Sequence, residues 1–412
     1  MGRIVYFSFP VQGHINPTLS VIQELVHQQQ QVVYYSTETF RDVIRQTGAQ
    51  FRPYPAGFPM PEHGPGPFAH VSGTLESLLQ QSRAVLDHHL EEVRLWRPTH
   101  IMSDSFAPWG NMVAQLLRLP SIGSVPSILI NAGVDSRYGN TRCPQPPDPH
   151  LTPQWHSSFR ERLHTSLRPY RFPDPPSPAQ LLQTYGSLNL VYTSRGFQPL
   201  ADAFEENRFR FVGPCFSCRP EAPAFPFEQL DRRPLVLVSL GTVYGNQPAF
   251  FRRCLEELAD PSWQVVMSAG RSFADADLPP IPENFIVRDF VPQVDILRRC
   301  AAFVTHGGMN SVQEALYYEV PMLMTPQAAD QFWISARASE LGAALLLDPQ
   351  NIETGAIHRG VKRILADPRY RAAAAAIGAS LRTAGGPKRA AAEILSFVRR
   401  MEPHQTAAAC HS

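Results

Sequence analysis

Short runs of consecutive apolar residues alternate along this chain with longer stretches whose apolar positions recur every three to four residues. The first kind predicts strands buried on both faces, the second the helices that cover them. Ile4 to Phe9 reads as the first strand. Asn16 as an N-cap and Pro17 at a first helical position then predict a helix to about Gln28. Gln31 to Ser36 predicts the second strand and Phe40 to Thr47 a helix closed by Gly48. A long helix around Leu75 to Leu95 leads into a strand from His100 to Asp104. Two stretches break the rhythm: Pro53 to Pro67, rich in Pro and Gly, and Asp135 to Pro178, with proline clusters and weak helical patterning between them. Loops of that length act as functional lids or stay disordered.

Ser217 to Pro234 has the composition of a linker. A second series then begins with Leu235 to Leu240, a fully apolar strand ending in Gly241-Thr242. Further strands are expected at Trp263 to Met267, Phe285 to Arg288, Ala302 to Thr305, Val320 to Met324 and Ala343 to Leu347. Alternation of this kind predicts an α/β protein of two facing Rossmann-like, doubly wound domains. The first spans 1–216, the linker 217–234 and the second 235–388. Residues 389–412 form a C-terminal helix and tail able to pack back on the N-terminal domain, with the last ten residues frayed.

The chain has 412 residues, the length of about two domains. A net charge of +1 offers nothing to draw nucleic acid or an anionic membrane surface. No apolar run reaches the ~18 residues that would span a bilayer. The N-terminal MGRIVYFSFPVQGH reads as a strand rather than a leader. A soluble, cytoplasmic protein without stable membrane insertion is expected. The six cysteines are scattered, and the one close pair, Cys215 and Cys218, lacks the second pair or the clustered His of a zinc site. No metal site is expected.

Ligands of doubly wound sheets bind beyond the carboxyl ends of strands. His14 follows the first strand and Asp104 ends another. In the second half, Gly241-Thr242, the segment His306 to Ser311 and Asp330-Gln331 all fall at strand ends or helix starts. The turn His306-Gly-Gly308 before a helix opening on Asn310-Ser311 suits an anion: a helix N-terminus offers unpaired N–H groups and partial positive charge, and glycines let a phosphate approach.

Taken in order, Gly13-His14-Ile-Asn16-Pro17, Phe290-Val-Pro-Gln293, Thr305-His306-Gly-Gly308-Met-Asn310-Ser311-Val-Gln-Glu314, Val320-Pro321, Pro326 and Asp330-Gln331 resemble the signature of nucleotide-sugar-dependent glycosyltransferases of small molecules. The nearest resemblance is to the bacterial macrolide-glycosyltransferase branch, and it covers nearly the whole chain. It implies a GT-B fold, with acceptor binding in the N-terminal domain and nucleotide-sugar binding in the C-terminal one. It implies His14 as general base, oriented by Asp104. The Val291 main chain and Gln293 would bind the base of the nucleotide, and Glu314 the ribose. Thr242, His306, Gly308, Asn310 and Ser311 would hold the diphosphate, and Asp330 and Gln331 the sugar hydroxyls. No cofactor or metal is implied, the UDP-sugar being a co-substrate. The acceptor would be a hydrophobic small molecule walled by Phe58, Phe68, Trp155, Phe159, Tyr170 and Phe172.

A neutral imidazole near pKa 6.5 takes a hydroxyl proton at physiological pH, and an Asp fixes its tautomer. One base opposite one leaving group implies inversion, with transfer of a hexose, glucose first. Phe290 stands where plant members carry Trp, so a dTDP-deoxysugar donor remains an alternative. An oxidoreductase would need Gly-x-Gly-x-x-Gly after a strand, which does not occur. A non-catalytic activator of glycosyltransferase type should have lost the base, whereas His14 and Asp104 are both present.

Overall fold

The computed structural model describes residues 2–59, 70–138, 148, 150–172, 174–216, 224–241, 247–270, 279–349 and 351–409. Its N-terminal half runs β1 (Arg3–Phe7), α1 (Gln12–His27), β2 (Gln31–Ser36), α2 (Arg41–Gln46), β3 (Gln50–Pro53), α3 (Val71–Trp96), β4 (His100–Asp104), α4 (Pro108–Leu117), β5 (Ser121–Val125), α5 (Ala132–Tyr138), α6 (Pro153–Leu167), α7 (Pro178–Leu182), β6 (Leu188–Val191) and β7 (Phe209–Phe211). Among the described residues the strands form one parallel sheet in the order β3-β2-β1-β4-β5-β6-β7. Strand β1 shows why. Ile4 and Tyr6 enter one apolar cluster with Ile15 and Leu19 of α1, while Val5 and Phe7 enter another with Leu78 of α3 and Val113 of α4. A strand covered on both sides needs a continuous apolar run, and a parallel neighbour needs a crossover connection, usually a helix.

The C-terminal half runs β8 (Leu235–Ser239), α8 (Pro248–Glu257), β9 (Gln264–Ser268), β10 (Phe285–Arg288), α9 (Gln293–Leu297), β11 (Cys300–Thr305), α10 (Met309–Tyr317), β12 (Met322–Met324), α11 (Gln331–Glu340), β13 (Ala344–Leu346), α12 (Ala356–Ala366), α13 (Pro368–Thr383) and α14 (Gly386–Ala409). Its described strands are parallel in the order β10-β9-β8-β11-β12-β13. Val236 and Val238 pack with Phe251 of α8 and Val361 of α12; Leu237 and Phe303 pack on the other face with Leu316 of α10 and Ile377 of α13. The fold class is the expected one: two doubly wound α/β domains.

The chain leaves the first domain after β7 and returns to it between α13 and α14. The two crossings touch: Gly386 N–H donates to the Val212 carbonyl at 2.6 Å. Gly213, at φ +79°, has no room for a side chain, since a Cβ there would lie 2.8 Å from both Ala384 Cβ and the Leu381 carbonyl oxygen. Beyond the crossing, Ala390, Ala391, Ile394 and Val398 of α14 join the apolar cluster of α1, and Arg210 Nε donates to Glu393 at 2.9 Å.

The expected loop from Asp135 to Pro178 contains a 15-residue helix, α6, capped by Thr152, whose hydroxyl accepts the Trp155 N–H. Its Phe159, Leu163 and Leu167 are buried against the face of the sheet covered by α3. Phe159 is therefore a core residue, and Trp155 stacks on it at 4.9 Å. Phe58 stacks on Tyr54 at 4.4 Å, and Phe68 lies outside the described residues. The C-terminal helix starts at Gly386 and continues to Ala409, past the frayed end expected of it. Of the cysteines, Cys215, Cys254 and Cys300 are buried free thiols. Among the described residues no helix is long and apolar enough to cross a membrane.

Candidate active site

In both sheets the strand order reverses beside the first strand, between β1 and β4 and between β8 and β11. A crevice opens at such a point because successive helices go to opposite faces. His14 follows β1 and Asp104 ends β4; Gly241 follows β8 and His306 follows β11. The two strand pairs place the candidate residues at the two switch points.

Helix α1 begins at Gln12, not Pro17, so Asn16 is not its N-cap and Pro17 lies in its interior. The helix starts early because the backbone already turns at Val11, whose carbonyl accepts the N–H of both His14 and Ile15 at 2.9 and 3.0 Å. His14 consequently sits in the first helical turn. Its Nδ1 lies 2.9 and 3.0 Å from the two oxygens of Asp104. That carboxylate is fully buried and also accepts the Phe106 N–H at 2.8 Å. An ionised carboxylate only accepts, so Nδ1 carries the proton and Nε2 of the neutral ring is left as the basic nitrogen. Phe9 and Phe106 close on the imidazole edge-on, with centroids 5.2 and 5.4 Å away. Burial works against the charged ring, but the charge and hydrogen bond of Asp104 and a smaller contribution from Asp330 outweigh it. His14 therefore titrates above its ordinary value.

On the other side of the cleft, His306 is wedged between two glycines. A Cβ on Gly308 would lie 2.4 Å from its Nε2, and one on Gly241, at φ +74°, 2.7 Å from its Cε1. Burial lowers the His306 pKa to about 4. The ring is neutral at ordinary pH and offers an N–H rather than a positive charge. Helix α10 starts at Met309 with Gly308 as N-cap and no side chain capping it. Asn310 and Ser311 are used elsewhere. Asn310 Nδ2 donates to the Gly13 carbonyl of α1 at 3.0 Å. Gln293 Nε2 donates to Ser311 Oγ at 3.3 Å and to Glu314 at 2.8 Å. Gln293, Ser311 and Glu314 thus form one cluster, with Glu314 only 1 % exposed. Phe290, before Val291, is 55 % exposed, a free ring face of the kind a nucleotide base stacks on. Thr242 lies outside the described residues.

Gln331 holds the loop that precedes it, accepting the N–H of Gln327 and Ala328 at 2.8 and 3.1 Å. Within that loop Ala329 takes a left-handed φ of +52°, a strain that side-chain-bearing residues keep only where the surroundings enforce it. Asp330 stands at the N-cap of α11 without capping it. Its carboxylate accepts the Ser127 hydroxyl, across the cleft, at 2.5 Å. Burial raises the Asp330 pKa, against the opposing effects of Ser127 and His14.

The cleft therefore brings together His14, Asp104, Asp330, Asn310, His306 and the bare start of α10. Three neighbours escaped the sequence reading. Phe9 and Phe106 flank residues already singled out. Ser127 follows β5, and the strand-end rule would have pointed to it had that short Ser- and Gly-rich strand been recognised.

This arrangement is that of a GT-B glycosyltransferase. Residues 252–396 match the family model described as the erythromycin biosynthesis protein CIII-like C-terminal domain. The chain is 32 % identical to the uncharacterized UDP-glucosyltransferase YojK of Bacillus subtilis, over 97 % of this chain and 98 % of that one. It is 31 % identical to the demethyllactenocin mycarosyltransferase of Streptomyces fradiae, over 95 % and 85 %. Among solved structures, the glycosyltransferase of kitacinnamycin superposes with a TM-score of 0.83 at 27 % identity, covering 96 % of this chain and 99 % of that one. The chain belongs to this family of nucleotide-sugar glycosyltransferases.

Proposed function

We propose that this protein transfers a hexose, glucose first, from a UDP-sugar to a hydroxyl group of a hydrophobic natural product, with inversion at the anomeric carbon. The observation that carries the reading is the His14–Asp104 pair, brought to the uncapped start of α10 by the Asn310–Gly13 hydrogen bond and close enough to Asp330 to feel its charge. The acceptor hydroxyl gives its proton to His14 Nε2 as its oxygen attacks the anomeric carbon. Asp104 stabilises the imidazolium that results. The bond to the nucleoside diphosphate breaks on the opposite face, and the charge that develops on the phosphate meets the N–H groups of α10, the Ser311 hydroxyl and the neutral His306 ring. Phe290 stacks on the base, and Asp330 accepts hydrogen bonds from the sugar hydroxyls.

Names of relatives support the acceptor class: one acts as an oleandomycin glycosyltransferase, at 28 % identity over 98 % of this chain. Phe9 and Phe106, edge-on to His14, suit an acceptor with an apolar or aromatic flank. The second reading, a dTDP-deoxysugar donor, is favoured by the kinship with a mycarosyltransferase. A panel of hydrophobic alcohols and phenols, incubated with UDP-glucose or dTDP-glucose and read by mass shift, tests both. A hexose increment of product with UDP-glucose supports the proposal. Turnover with dTDP-sugars alone would move it to the second reading, and reaction of highly charged acceptors alone would overturn the acceptor class.

A further inference from the structure

Pro17 stands in the sixth position of a continuous 16-residue helix and is buried there. In an α-helix the carbonyl of residue i accepts the N–H of residue i+4. For Gly13 that donor is Pro17, which has none, and a proline ring also presses the i−4 carbonyl outward. Gly13 is exposed, so a carbonyl deprived in this way is open either to water or to a side chain. Here it is the Asn310 side chain, arriving from the other domain at 3.0 Å. The same amide nitrogen is the neighbour a Cβ built on Gly13 would meet, at 4.0 Å. Nor is Asn310 needed by its own helix, whose N-cap is Gly308.

We infer that Pro17 is a positioning residue: by withholding an N–H it leaves the Gly13 carbonyl to Asn310, and so ties the turn that carries His14 to the helix start that would hold the leaving diphosphate. The tie is one residue from His14 along α1 and on the second residue of α10. It fixes the distance between base and leaving group whenever the two domains meet. This inference rests on the proposed roles of His14 and α10 only for its kinetic consequence; the hydrogen bond itself is independent of them.

Two readouts separate these parts. With selective ¹⁵N labelling of asparagine, the Asn310 side-chain signal is assigned by its disappearance in Asn310→Ala. In Pro17→Ala the helix regains a donor for Gly13, and that signal should move. The kcat/KM for donor should fall about fivefold, the effect of one ordinary hydrogen bond. Adding Asn310→Ala to Pro17→Ala should then cost less than it does in the wild-type chain. Pro17→Val, closer in volume, repeats the comparison if the alanine variant folds poorly. A proline with a purely structural role predicts an unmoved signal, and an unmoved signal overturns the tie whatever the protein turns over. A moved signal with unchanged kcat/KM, or with losses that simply multiply, overturns the positioning role.

Discussion

Ser127 donates its hydroxyl proton to Asp330 at 2.5 Å, from the loop after β5 to the start of α11, so the carboxylate proposed to bind the sugar already holds one hydrogen bond from the opposite domain. That bond opposes the rise in the Asp330 pKa that burial produces. Ser127→Ala should therefore raise the carboxyl pKa further and lower kcat/KM for the donor by about three- to tenfold. Asp330→Ala should cost about 1–3 kcal/mol of transition-state binding, as for a charge-assisted hydrogen bond. The Asp330 loss should shrink with a deoxy donor lacking the contacted hydroxyl. Equal losses with glucose and deoxyglucose donors would remove Asp330 from the sugar.

The pH profile follows from the His14 pair. A base acts when unprotonated, and Asp104 holds the His14 pKa above its ordinary value. The acid limb of kcat/KM should accordingly lie above about 6.5, with activity rising as pH rises through it. Asp104→Asn removes the charge and should shift that limb downward while lowering turnover. His14→Ala should lower turnover by roughly 10²–10⁴ and leave UDP affinity nearly unchanged. Wild-type rate on an ordinary alcohol would refute the assignment; an acidic phenol, which ionises without help, is the weaker test.

Gly308 offers a test that leaves the backbone unstrained, since its φ of −65° suits any residue. A methyl group there would lie 2.4 Å from His306 Nε2 and must displace the ring. Gly308→Ala should weaken UDP binding about tenfold by titration calorimetry, the worth of one hydrogen bond with a charged partner. In a His306→Ala background the same change should cost little. Full affinity in the single variant would show that the ring does not touch the diphosphate.

Activity is expected to survive EDTA, because in the proposed mechanism the N–H groups at the start of α10 would supply what a divalent ion supplies in metal-dependent transferases. Loss on chelation, restored by Mg²⁺ or Mn²⁺, would contradict this.

A single displacement inverts the anomeric carbon, so an α-linked nucleotide sugar should yield a β-glycoside. The anomeric proton coupling of the product decides: a small constant, meaning an α-linkage, excludes single displacement.

The strands β2 and β10 were legible to the residue because each is an apolar run ended by polar residues. Strands β5 and β6 were not, because buried polar groups interrupt them. Ser124 and Asn189 are both fully buried, and Asn189 satisfies itself on the Gly186 N–H and carbonyl. Local hydrogen bonding of this kind leaves no periodic trace. The start of α1 was misread for a related reason: Asn-Pro is a strong local start signal, but the chain was already helical, and the partner that makes an interior proline tolerable lies almost three hundred residues away. The site residues were legible as types and order. Their pairing across the cleft, as between Ser127 and Asp330, is a product of how the domains meet, which no local pattern encodes.

The paired crossings at Val212 and Gly386 bear on how this cleft can open. Two bodies joined at a single point can swing and swivel in every direction. Joined at two adjacent points they retain one easy rotation, about the line through both, as a door does on a pair of pins. Gly213, hard against Leu381 and Ala384, keeps those pins together, so a closure about them would return along the same arc. An opening along that arc would admit substrates and still return His14 and the start of α10 to the same register. Gly213→Ala, by forcing the pins apart, would loosen the door rather than the lock.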